Sequence, residues 1–212
     1  MDSINIDSVN VDNSPEQAKV KDIIERINIL IDSFMQEHGF ENISDITANQ
    51  FDAMCMYIRF NLFDADKTLL YKYYPNISHN NIISLMYDDY ICLCICDYYI
   101  YLCGIYNKIP SIYSYSQLTG INYDSIMRWA KEESQRPDAY EIYKKLHKAY
   151  EKGLENGAQS GKNPVGFIAT LNHRFGWSAD NKPTLTVNIT RTKQEILSGV
   201  DQALLTDNPE NP

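Results

Sequence analysis

Apolar residues recur along this chain at three- and four-residue steps, and that period predicts a mainly helical fold. Val20, Ile23, Ile24, Ile27, Leu30, Ile31 and Phe34 form one apolar face. Ser14 stands ahead of them as a cap, with Pro15 at the first helical position and Gln17 completing a capping box, and Gly39 stops the helix. Thr47 with Gln50 repeats the capping signature and opens a second helix, "ANQFDAMCMYIRFNLF". Residues 64–80, with Pro75 and several Asn, read as a connection. A long helix is expected from about Asn81 to Asn107, apolar on nearly all faces and therefore central to the core. A further helix begins near Asp138, and Pro164 starts a short one that Gly176 ends.

Two stretches depart from this period. Residues 1–13 are polar and acidic and read as a flexible arm. In the tail, "TLTVNIT" alternates Leu185, Val187 and Ile189 with polar residues, which predicts a strand over 184–190 with no evident partner in its own subunit. A weak amphipathic helix interrupted by Gly199 follows over 192–205. The expected organisation is an arm at 1–13, a helical region at 14–107, a second helical region at 108–177 and a tail at 178–212.

The stretch "SIYSYSQLTGINYDSIMRW" at 111–129 is the most informative. Two short helices flank one glycine, and such a pair is stable only when packed on a third element, as in a helix-turn-helix. Gly120 supplies the positive φ of the turn and Ile121 inserts behind it. Asn122 caps the second helix, and Ile126 and Trp129 pack inward. Tyr123, Ser125, Arg128 and Lys131 then point outward, as in a recognition helix. Lys144, Lys145 and Lys148 on the next helix add positive charge near it. A tight helical hairpin without nucleic acid would give the same pattern, and Asp124, Glu132 and Glu133 oppose phosphate.

Charge localises this footprint. The net charge of −9 excludes indiscriminate coating of nucleic acid. Residues 1–107 hold six Lys and Arg against sixteen Asp and Glu, whereas 108–177 hold ten against seven and 178–212 three against five. A mildly basic middle lies between two acidic ends.

Other chemistry is weakly signalled. "CLCIC" at 92–96 puts Cys92 and Cys96 on one helical face with no histidine nearby, so these read as buried, reduced thiols rather than metal ligands. "GAQSGKN" at 157–163 has the wrong spacing for a phosphate loop and lacks Ser or Thr after Lys162. The four histidines form no catalytic set. No enzyme activity, cofactor or metal is expected. The acidic N-terminus predicts no secretory signal, and "YICLCICDYYIYLCGIY" is too short and polar to span a membrane. These features together suggest a cytoplasmic protein.

After the glycine-turn pair come a Lys/Glu-rich helix and "SGKNPVGFIATLNHRFGWSADN". This order resembles the small terminase subunits of tailed phages. In those proteins an NP-x-G-x-I-x-x-L helix, an aromatic-Gly-Trp end and a β-forming tail follow the DNA-binding helices. The matching residues here are Asn163, Pro164, Gly166, Ile168, Leu171, Phe175, Gly176 and Trp177. The resemblance covers residues 108–177. It implies a non-catalytic, ring-forming subunit in the host-cell cytoplasm that recognises double-stranded viral DNA and delivers it to the terminase large subunit. Two alternatives remain at this stage: a helix-turn-helix transcription regulator, or a structural protein that touches no DNA.

Overall fold

The computed structural model describes residues 14–42, 46–74, 84–161 and 163–177. The fold is mainly helical. Helix α1 spans Pro15–Glu37, and α2, Ala48–Ile58, runs without a break into a π-helix at Arg59–Phe63. A short 3-10 turn at Lys67–Leu69 leads to strand β1, Tyr71–Tyr74, and then β2, Ser84–Tyr87. Helices α3, Asp89–Ile105, α4, Ile112–Thr119, α5, Tyr123–Trp129, α6, Pro137–Gln159, and α7, Pro164–Phe175, follow. The chain divides into two compact units, residues 1–153 and 154–212.

The helix ends are set locally. Ser14 Oγ accepts from the Gln17 amide at 3.3 Å. At the other end of α1, Gly39 has φ 69°, the Gly39 amide donates to the Gln36 carbonyl and the Phe40 amide to that of Met35. Those two bonds close the helix in the paired pattern that a left-handed residue permits. At α2 the capping box is complete: Thr47 Oγ1 accepts from the Gln50 amide, and Gln50 Oε1 accepts from the Thr47 amide at 2.8 Å.

The expected helix from Asn81 is shorter than its apolar pattern. Residues 84–87 form a strand instead, antiparallel to 71–74, with Tyr71 opposite Tyr87 and their rings stacked at 4.8 Å. Asp88 ends the strand by capping α3, its carboxylate accepting from the Ile91 amide at 3.3 Å. So short an apolar run fits either period, and the cross-strand ring pair together with the Asp88 cap decides in favour of the strand. The connection expected at 64–80 likewise holds the 3-10 turn and β1. The arm at 1–13, the strand at 184–190 and the weak helix at 192–205 lie outside the described residues.

In the first unit the core is continuous from Ile23 to Leu146. It therefore crosses the 107/108 division of the sequence without interruption. Helix α3 runs through it, burying Ile91, Cys92, Ile95, Cys96, Tyr99, Leu102 and Cys103. All five cysteines are free thiols, and burial pushes the Cys103 thiol up to about 12. In the second unit Gly157 lets the Phe167 ring lie against α6, where a Cβ would come within 2.8 Å of that ring. Among the described residues, no helix is long and apolar enough to cross a membrane.

Candidate nucleic-acid interface

Helices α4 and α5 are short, and a dense set of side-chain bonds holds the turn between them. Ser111 caps α4, its Oγ accepting from the Ser114 amide at 3.0 Å. Tyr115 is fully buried and donates its hydroxyl to the Cys92 carbonyl at 2.8 Å, pinning α4 to α3. Gly120 ends α4 at φ 74°. Around it, Ser116 Oγ donates to the Ile121 carbonyl at 2.7 Å, and the Ile121 amide donates to Thr119 Oγ1 at 3.2 Å. Thr119 in turn donates to the Tyr115 carbonyl at 2.9 Å. Ser116 and Thr119 are buried, so these bonds satisfy turn atoms that water cannot reach.

Beyond the turn, Asn122 Oδ1 accepts from the Asp124 amide at 2.7 Å and opens α5. Ile121, Ile126 and Trp129 are 1%, 0% and 1% exposed. The Trp129 ring meets Tyr87 edge-on at 5.9 Å. The Arg136 guanidinium sits 5.4 Å from the Trp129 ring centroid and grips the Asp89 carboxylate through two nitrogens, at 2.9 and 2.5 Å. Arg136 also reaches Glu132 at 3.3 Å. This fork fastens the segment after α5 to the first turn of α3. The carboxylate raises the Arg136 pKa further above its usual value against the opposing effect of burial.

The outer face of α5 carries Tyr123, Asp124, Met127 and Arg128, all exposed. Ser125 is half-buried and accepts from Arg128 Nη2 at 3.2 Å. Asn122 faces solvent, but its oxygen is occupied by the cap, which leaves the amide nitrogen for a ligand. Lys131 is exposed and lies two residues past the helix, because α5 closes with tight bonds from the Lys131 amide to Arg128 and from the Glu132 amide to Trp129. On α6, Lys144 pairs with Glu141 at 3.1 Å, and Lys145 pairs with Asp97 of α3 at 2.5 Å. Burial would lower the Lys145 pKa, but the bond and charge of Asp97 outweigh it and raise the pKa. Lys148 is exposed. Among the described residues, Arg128, Lys131 and Lys148 make no ion pair.

Two cations near this region escape a reading by sequence. Arg136 is 47 positions from Asp89, so no local spacing announces their pairing. Arg59 belongs to the π-helix, yet its Nε lies 3.0 Å from where a Cβ on Gly120 would stand.

An open recess of about 410 Å³ lies between α2 and the start of α4, lined among others by Phe51, Asp52, Lys108 and Ser114. The Lys108 ammonium is bound to the Ile46 carbonyl. Among the described residues no cluster of His, Cys, Asp and Glu is arranged to hold a metal.

The residues behind the phage resemblance have local structural tasks of their own. Asn163 caps α7 by accepting from the Gly166 amide at 3.2 Å, and Pro164 occupies the first turn. A Cβ on Gly166 would meet the Asn163 amide at 2.7 Å, so glycine leaves room for the cap. Gly176 ends the helix at φ 63°. Comparison with protein-family models, with curated proteins and with solved structures finds no match for the chain.

Proposed function

We propose that the chain is a non-catalytic DNA-binding subunit of a phage packaging terminase, with α4 and α5 acting as a helix-turn-helix. The observation that carries the DNA-binding part is α5 itself. Its inner side is fixed by Ile126 and Trp129, its outer side presents Tyr123 and Arg128 to solvent, and Lys131 is exposed just past its end. A short helix anchored this firmly positions side chains for a groove with little entropy left to lose. Arg128 and Lys131 supply the phosphate contacts, and Lys148 extends them. Lys144 and Lys145 contribute less, since carboxylates already hold their charge. The terminase assignment rests on the sequence resemblance over residues 108–177. In this role the chain forms a ring, recognises double-stranded viral DNA and hands it to the large subunit.

Mass determination by light scattering, combined with duplex binding across salt concentrations, tests this reading. A higher-order oligomer with salt-dependent binding is expected. A dimer reading paired half-sites would instead make the chain a transcription regulator.

One observation favours a different class. Tyr123 and Met127 leave 41% and 38% of their surface exposed beside Asp124, a mixed face that suits a protein partner as well as a groove. An absence of salt-dependent duplex binding would establish that second reading as the better one.

A further inference from the structure

We propose that Arg59 belongs to the same interface, as a phosphate-contacting residue stored against the α4–α5 turn by Asp64 and released to DNA. This rests on the DNA-binding reading above. The π-helix creates the arrangement. On a regular α-helix, residues five apart are about 140° from one another and do not meet. Here the Asp64 amide donates to the Arg59 carbonyl at 2.9 Å, a five-residue bond that returns Asp64 to the side of Arg59. The ion pair Arg59 Nε to Asp64 Oδ2 then closes at 3.0 Å. π-turns of this kind are rare and concentrate at functional sites.

The guanidinium lies across the turn itself. The position of a Gly120 Cβ is 3.0 Å from Arg59 Nε and 3.5 Å from Cδ and Cζ. Glycine therefore lets the guanidinium lie directly against the turn, two residues before the Asn122 cap that opens α5. The N-terminal end of a recognition helix is where base edges and the flanking phosphates come closest. Phe60, 56% exposed, lies 5.8 Å from the guanidinium and supports it from below.

Arg59 retains unused donors. Among the described residues its side chain makes one hydrogen bond, to Asp64, through one of five guanidinium N–H groups. Both side chains of the pair are about a third exposed, so water screens the attraction and a phosphate can replace the carboxylate. Asp64 thus acts as a tether that competes with DNA.

Fluorescence anisotropy of the full chain with duplex DNA, repeated across salt concentrations, tests this. Arg59→Ala should weaken binding several-fold and reduce the salt slope by about 0.9, the value of one phosphate contact. Asp64→Asn should tighten binding, and the double variant should behave as Arg59→Ala does. A wild-type slope in folded Arg59→Ala overturns the proposal. So does a gain from Asp64→Asn that persists without Arg59, because it would then reflect net charge alone. If Arg59→Ala proves unfolded by circular dichroism, the same cycle run with Arg59→Gln decides. Wild-type protein that binds no duplex overturns the DNA-binding reading itself, and this proposal with it.

Discussion

Helices α5 and α6 both carry cations on a solvent side, but they hold them in different states. On α5 the inner residues are locked, and among the described residues the Arg128 side chain has only the Ser125 hydroxyl as a partner. On α6 Lys144 and Lys145 are bound to Glu141 and Asp97, and Lys145 serves to join α6 to α3. A cation is therefore left without a carboxylate on one helix and serves as a fastening on the other. What separates them is the neighbouring element: α3 brings Asp97 to Lys145, while nothing acidic from another helix pairs with Arg128 among the described residues.

The largest test of this contrast removes the anchor of α5. Trp129→Ala should cost about 3–5 kcal/mol in denaturant unfolding, with loss of DNA binding. A cost under about 1 kcal/mol would mean that α5 is not held by its inner face.

Alkaline pH should act on α3 and α6. The folded Cys103 thiol is raised from 9.0 to about 12. A raised folded pKa gives stability that is complete below 9 and is lost as pH climbs toward 12. This one thiol sets a slope of up to about 1.4 kcal/mol per pH unit. Lys145, also raised, adds a loss in the same direction once pH passes its unfolded value of 10.5. Urea midpoints measured between pH 8 and 11 should fall, and Cys103→Ala should flatten the fall. A midpoint independent of pH would contradict the burial described here.

Gly120→Ala should cost about 1–2 kcal/mol, since φ 74° disfavours any Cβ. It should also displace Arg59. Melting temperature reports the first effect, and the salt slope of DNA binding reports the second.

Much of the α4–α5 region was legible in the sequence because its determinants are local. Gly120, Ile121, the Asn122 cap and the inward Ile126 and Trp129 occupy the positions that spacing assigns them. The caps at Ser14 and Thr47 are local for the same reason. The β1–β2 pair was not legible, since four-residue runs satisfy helical and strand periods alike and only the pairing of 71–74 with 84–87 settles them. The fates of the cations were also hidden. Lys145 with Asp97 and Arg136 with Asp89 are contacts over nearly fifty positions, and Arg59 reaches Gly120 only because a π-turn redirects it. Sequence period tells which way a side chain points, and tertiary packing decides whether its charge is already neutralised.

The smallest effect on stability accompanies the most direct test of function. Replacing Arg128 and Lys131 together by Ala should change unfolding free energy by less than about 0.5 kcal/mol, because both are exposed. Duplex affinity measured across salt for this variant and the wild type tests the central claim that α5 presents a DNA-binding face. The expected result is weaker binding with a slope reduced by about two contacts. Wild-type affinity and slope in the folded double variant would contradict it.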